Sequence, residues 1–221
     1  MRVSILGCGW IGLALQQKLE DAGHVAHCLT HEREANHARG VYHADVLVIA
    51  IPPSASAYLE VLHYTVAEMQ KDTLQILFLS SVSFYEGKPA IVEAEEHLHR
   101  WAPKAVILRL GGLMGYDRIA GRYSAGKTLS MDTISRYIHR DDVLGVICAV
   151  MEQGTSGEVL DVVAPAQAYK SEIFSDNAKK FGFEKTQVLQ RIPPRNPPSS
   201  SRLEAVLGYR FIRPDVMAFW K

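Results

Sequence analysis

Val3-Ser4-Ile5-Leu6-Gly7-Cys8-Gly9-Trp10-Ile11-Gly12 decides the fold of this chain. An apolar run of strand character passes directly into G-x-G-x-x-G, and Leu13, Leu15 and Leu19 follow with helical character. Each glycine has its own task in that pattern. Gly7 permits a tight turn, Gly9 lets the backbone approach a pyrophosphate, and Gly12 lets the helix pack closely on the strand. The exposed N–H groups at the helix start would then meet the phosphate charge. After Gly23 a second apolar stretch, Val25-Ala26-His27-Cys28-Leu29, completes a strand–helix–strand unit of about thirty residues. The spacing therefore predicts a dinucleotide site on Gly7, Gly9, Trp10, Ile11 and Gly12. The Trp10 ring either shields the pyrophosphate or packs between helix and sheet.

The pattern repeats downstream. Asp45-Val46-Leu47-Val48-Ile49-Ala50-Ile51 is a continuous apolar run ended by Pro52-Pro53, as suits a parallel strand covered on both faces. Residues 54–70 carry Tyr58, Leu62, Val66 and Met69 at helical spacing, and 74–79 form the next strand into Ser80-Ser81. A helix over 91–101 and a strand over 105–110 follow. The alternation predicts an α/β protein with a Rossmann-type, doubly wound parallel sheet. Only sixteen residues separate Leu29 from Val46, so the usual third strand is expected to be shortened or missing, with Val41-Tyr42-His43 as its stub.

Beyond Leu110 the pattern changes, and residues 1–110 and 111–221 read as a dinucleotide-binding core and a small lobe within one compact unit. Residues 111–133 read as a glycine-rich loop. Asp141 reads as the N-cap of a helix to about Gln153, and Gly182 ends a helix over 171–181. The prolines Pro193, Pro194, Pro197 and Pro198 mark a clamp loop over the core, with an extended partner ligand as the other reading, before a last short helix over 202–207.

Composition narrows the partners. Lys+Arg and Asp+Glu each number 24, so the net charge is zero and nucleic acid is not expected. No apolar run reaches the ~18–20 residues of a membrane span. Cys8, Cys28 and Cys148 lack metal-ligand spacing and are expected to be reduced thiols in the cytoplasm. The histidines give no metal site either: His24 and His27 fall on or beside a strand, and His97 and His99 do not face one point. His139 is expected to bond the backbone at a helix entry. Glu95 and Glu96, beside His97, read as a solvated helix face.

The chain resembles the extended and atypical branches of the short-chain dehydrogenase/reductase superfamily, which include NAD-dependent nucleotide-sugar epimerases and dehydratases. The resemblance spans nearly the whole chain. It rests on the glycine loop, Leu79-Ser80-Ser81-Val82-Ser83-Phe84-Tyr85, Val92-Glu93-Ala94-Glu95, Arg109-Leu110-Gly111-Gly112, Ile138-His139-Arg140-Asp141-Asp142-Val143 and the closing Ser201-Arg202-Leu203 with Leu207-Gly208-Tyr209-Arg210. It implies that Ser81 hydrogen-bonds a substrate oxygen, that Ala50, Ile51, Pro52 and Ser80 border the cofactor, and that Gly111 and Gly112 lie on its nicotinamide side. The implied activity is an oxidoreductase or epimerase acting on a small carbonyl or sugar-like substrate, in a monomer or homodimer. The family's Tyr-x-x-x-Lys pair is missing, its positions falling on Gly87 and Ile91. Tyr85 is the candidate replacement, while Tyr116, Tyr123 and Lys127 read as cleft walls. The alternative is a non-catalytic NADP(H)-binding sensor.

An acid ordinarily ends the second strand of an NAD site and bonds the ribose hydroxyls. Here Thr30 stands there, followed by His31, Glu32 and Arg33. Thr30 would tolerate a 2′-phosphate that Arg33 could clamp, which favours NADP over NAD. The other reading leaves Arg33 solvated and gives the acid's work to Glu32.

Overall fold

A computed structural model describes residues 1–29, 33–55, 57–69, 73–193 and 198–220. The chain opens with strand β1 (Arg2–Leu6), helix α1 (Gly12–Asp21) and strand β2 (Val25–Leu29). Helix α2 (Arg33–Ala38) leads to β3 (Val46–Ile49), α3 (Tyr58–Met69) and β4 (Gln75–Ser81). A 3₁₀ turn (Val82–Glu86), α4 (Pro89–Trp101), β5 (Val106–Leu110) and β6 (Gly112–Met114) follow. Then come β7 (Thr128–Asp132), β8 (Tyr137–His139), α5 (Arg140–Gln153) and β9 (Val159–Val162). Helix α6 (Lys170–Phe181), β10 (Gln187–Arg191) and α7 (Ser201–Leu207) close the fold.

Six strands form one sheet in the order β2-β1-β3-β4-β5-β9. β1 pairs in parallel with both β2 and β3, and β3 with β4. This is the doubly wound Rossmann arrangement, in which the chain reverses direction across the sheet beside β1. β2 is the edge, and among the described residues no third strand lies beyond it. Val41-Tyr42-His43 is instead a turn, with Val41 and Tyr42 buried and the Ser4 hydroxyl donating to the Val41 carbonyl. The side chains of β3 are buried from Val46 to Ile49, as its unbroken apolar run requires. Leu47 and Ile49, on one face of the strand, pack with Leu62, Val66, Met69, Phe78 and Leu98 in one core.

The chain divides into two compact units, Met1–Arg109 with Leu144–Leu160 and Leu110–Val143 with Asp161–Lys221. The first unit thus takes in Leu144–Leu160 from beyond residue 110. The reason is hydrogen bonding within the first unit: the Gln75 side-chain amide donates to the carbonyls of Val150 and Thr155 at 2.9 and 2.7 Å, and Ile107 N–H donates to Glu158 O at 2.8 Å. The second unit has its own core of Ala120, Ala164, Ile173, Phe174, Val216 and Phe219. It holds two two-stranded parallel sheets, β6 with β8 and β7 with β10. The stretch 111–133 is thus not a plain loop, since β6 and β7 lie within it.

Two further expectations are corrected. Helix α5 begins at Arg140, so Asp141 lies in its first turn and is not its N-cap. Cys8 and Cys28 are joined in a disulfide, their Cα atoms 5.9 Å apart, and only Cys148 is free. Among the described residues no helix is long and apolar enough to cross a membrane.

Phe78 lies wholly buried on β4 at the centre of the sheet. Phe78→Ala is expected to lower unfolding stability by about 3–5 kcal/mol, measured by chemical denaturation. A loss under 1 kcal/mol would contradict this core.

Candidate functional site

The carboxyl end of β1 turns through Gly7 at φ +103°, a conformation that favours glycine. A Cβ there would also lie 2.7 Å from Ala50 C and Ile51 N, the backbone that follows β3. A Cβ on Gly12 would collide with the Gly7 carbonyl oxygen. These two glycines are fixed by packing. Gly9 is different, because a Cβ built on it meets nothing within 4 Å. Its exposed face adjoins the start of α1, where the first helical bonds are Leu13 N–H to Gly9 O at 3.0 Å and Leu15 N–H to Ile11 O at 2.8 Å. The N–H groups of Ile11 and Gly12 precede those bonds at the start of the helix, outside its i to i−4 ladder. The loop therefore offers room and donors to an anion.

Ala50 continues from β3, its N–H donating to Leu6 O at 2.7 Å, and Ile51 and Pro52 follow toward the surface. This sets the β1 and β3 ends side by side around Gly7. Thr30 and His31 lie outside the described residues, as does the side chain of Arg33, whose backbone starts α2. A second cation, Arg39, reaches the same strand end, with its guanidinium donating to Cys28 O at 3.5 Å. Sequence reasoning missed it because it stands beyond the helix and carries no motif.

At the end of β4, Ser80 is buried and Ser81 half-buried. Ser81 Oγ accepts the Ser83 N–H at 3.2 Å and caps the 3₁₀ turn, which leaves its own O–H free to donate. Ser80 Oγ donates to Glu95 Oε1 at 2.5 Å. Glu95 is only 5% exposed, which corrects its assignment to a solvated face. Arg109 holds it with Nη2 to Oε2 at 2.7 Å and Nε to both carboxylate oxygens at 3.1 Å. The remaining Arg109 nitrogen, Nη1, donates to Tyr85 Oη at 3.1 Å, and its guanidinium stacks 3.5 Å from the Phe84 ring centroid. Burial opposes the Arg109 charge, but the hydrogen bonds and attraction of Glu95 outweigh it and hold the guanidinium pKa above its usual value. Burial, with Glu95 nearby, likewise pushes the Tyr58 phenol upward.

Two signals in the sequence could have revealed this pair. Arg109 interrupts an apolar strand, so its charge needs a partner. Ile91, Ala94, Glu95 and Leu98 also share one helical face. Gly87 and Ile91, where the resemblance would place a tyrosine and a lysine, are structural here. Gly87 ends the 3₁₀ turn in a left-handed conformation, and Ile91 is buried on α4.

In the second unit, a Cβ on Gly111 would strike the Arg136 carbonyl, and one on Gly112 would lie 2.8 Å from the Tyr137 ring. That contact accounts for both glycines. His139 is buried, and its Nδ1 accepts the Asp141 N–H at 3.2 Å at the entry to α5. Burial depresses its pKa, against the pull of Asp141. Tyr116, a wall residue by sequence, donates to Asp141 Oδ1 at 2.6 Å. Asp142 is buried too, and accepts the N–H groups of Ile212 and Arg213 at 2.6 and 3.0 Å and the Tyr209 hydroxyl at 3.1 Å. Burial raises its pKa, while these hydrogen bonds oppose the rise.

No protein-family model matches the chain. Protein YeeZ of Escherichia coli (strain K12) is 26% identical over 265 residues, which cover 97% of this chain and 97% of that protein. Since this chain has 221 residues, that alignment requires gaps in it. The fold is that of NAD(P)-binding epimerase/dehydratase-like Rossmann proteins. UDP-glucuronic acid 4-epimerase of Bacillus cereus, solved with UDP-glucuronic acid and NAD, superposes with a TM-score of 0.79 at 16% identity, over 99% of this chain and 96% of that one. The human epimerase family protein SDR39U1 (isoform 2), solved with NADPH, gives a TM-score of 0.75 at 18% identity, over 99% and 97%.

Two outcomes test these assignments. Arg109→Leu leaves Glu95 buried without its cation and is expected to cost about 3–5 kcal/mol by denaturation, much of it recovered in the Glu95→Leu/Arg109→Leu double variant. Because the His139 pKa is depressed in the fold, its contribution to stability is present above the ordinary histidine value of about 6.5 and is lost as pH falls below it. Thermal melts across that window should show this acid-side loss reduced in His139→Gln.

Proposed function

We propose that this chain binds NADP(H), in preference to NAD(H), on the loop Gly7–Gly12 and uses it to reduce or oxidise a small carbonyl or sugar-like substrate. The observation that carries the reading is the open face of Gly9. Packing explains Gly7 and Gly12, whereas no protein atom needs the space over Gly9. A pyrophosphate fits that space and the N–H groups beside it. Proteins solved with NAD and with NADPH share the fold and support a nicotinamide dinucleotide as the ligand, of either kind.

A bound nicotinamide would supply or accept the hydride. The Ser81 hydroxyl orients the substrate oxygen by donating to it, since its lone pair already holds the Ser83 N–H. Tyr85, half exposed, moves the proton, and Arg109 provides beside it the cation that the family draws from lysine. Trp10, Ile11, Ala50, Ile51, Pro52 and Ser80 border the cofactor, and Arg33 with Arg39 offers positive charge for a 2′-phosphate. The reading takes Gly111 and Gly112 to the nicotinamide side and assigns the protein to the cytoplasm, as a monomer or homodimer.

A second reading, a non-catalytic NADP(H)-binding sensor, is favoured by buried Ile91 at the lysine position. Stopped-flow oxidation of bound NADPH against a panel of carbonyl compounds separates the two. Turnover that falls at least tenfold in Tyr85→Phe supports the enzyme, and no turnover with any substrate supports the sensor.

The binding itself is tested by fluorescence titration. Gly9→Asp is expected to keep the wild-type melting temperature and lose NADPH binding by at least a hundredfold. Retained binding would remove the glycine-loop site. Arg33→Ala should weaken NADPH at least tenfold more than NADH, and equal losses would assign the 2′-phosphate elsewhere.

A further inference from the structure

Cys8 occupies the position between the first two glycines of the loop, and Cys28 the residue before the last of β2. The parallel register sets Cys28 opposite Ile5, three residues before Cys8. That brings the two Cα atoms to 5.9 Å, within the roughly 4.4–6.8 Å a disulfide spans, and the sulfurs are bonded. The bridge ties together the two places where this fold holds a dinucleotide, the pyrophosphate loop and the end of the second strand. Both cysteines are partly exposed, so small thiols can reach them. Acceptors also stand ready for the reduced state, with the Ile5 carbonyl 3.7 Å from Cys8 Sγ and Gln16 Oε1 3.2 Å from Cys28 Sγ. Each redox state is therefore satisfied within the same fold.

We infer that Cys8 and Cys28 form a redox-active dithiol site that sets the affinity of the glycine loop, with the bridged protein binding the dinucleotide more tightly. The inference rests on the dinucleotide reading above and adds its regulation. Oxidation proceeds by exchange with a small disulfide such as glutathione disulfide. One cysteine thiolate attacks it and releases one small thiol, and the second cysteine then attacks the mixed disulfide and releases the other. Two protein thiols lose two electrons and two protons, and one small disulfide becomes two thiols. The positive end of α1 favours a thiolate at Cys8. Burial pushes the Cys148 thiol up and leaves it a poor competitor.

The bridge acts by preorganisation. With Cys8 fastened to β2, the loop gives up little further freedom when ligand binds, so less of the interaction energy goes into ordering it. Linkage is reciprocal, so bound dinucleotide must stabilise the bridge by the same factor.

The test uses the full chain carrying Cys148→Ala, equilibrated with glutathione disulfide or with a phosphine reductant. Alkylation and mass measurement count the free thiols, and NADPH is then titrated by fluorescence. The bridged protein should lack two alkylations and bind NADPH about fivefold more tightly than the reduced protein. The Cys8→Ser/Cys28→Ser double variant should hold the reduced affinity under both conditions. Saturating NADPH should shift the glutathione ratio at half-oxidation by the same factor. Equal affinities in the two states, or two alkylations retained after oxidation, would overturn the inference. Bridging with no binding of NADPH or NADH in either state would overturn the dinucleotide reading and this inference with it.

Discussion

The approach of the Gly7 backbone to the chain at Ala50 and Ile51 governs the rest of the first unit. β1 lies between β2 and β3, and its end must turn where β3 also ends. With a Cβ only 2.7 Å from the neighbouring backbone, any residue but glycine would push the strands apart or lift the loop. Once Gly7 is seated, Gly12 must be bare as well, since the first turn of α1 passes over the Gly7 carbonyl. A Cβ built on Gly9 meets nothing within 4 Å, so its face stays open beside the start of α1. The site is a consequence of sheet packing, and it needs no dedicated side chain.

At the end of β4 the organising interaction is ionic. Glu95 and Arg109 neutralise each other in a largely buried setting, and their spare hydrogen-bonding capacity is spent on Ser80 and Tyr85. Removing either charge would leave the other stranded, so the pair fixes α4 against β5. It also presents Tyr85 beside a cation, although α4 carries Ile91, not a lysine, where the resemblance would place one. The short connection between β4 and α4 is what makes this possible, because the 3₁₀ turn that carries Phe84 and Tyr85 runs almost directly into Pro89.

The sheet was legible because its signals are local. Gly7–Gly12, the unbroken apolar run of β3 and the sixteen-residue gap before it fixed strand polarity, burial and the absence of a third strand among the described residues. The site was less legible wherever it depends on residues far apart in the chain. Glu95 looked like its exposed neighbour Glu96 because one helical position separates inside from outside, and only Arg109, fourteen residues on, shows which it is. Cys8 and Cys28 are twenty residues apart, and their meeting depends on the register of β1 with β2. The short strands β6 and β7 were hidden for a similar reason. Each pairs with a partner that is distant in sequence, and three to five residues carry too little periodicity to announce a strand.

The central claim is that the open Gly9 face and the adjacent N–H groups hold a nicotinamide dinucleotide. Amide chemical-shift mapping of isotope-labelled protein during addition of NADPH tests it most directly, because it reports binding and location together. The account predicts saturable shifts concentrated at Gly9, Trp10, Ile11 and Gly12 and at Ala50 and Ile51. Absence of saturable shifts, or shifts confined to residues away from this loop, would contradict it.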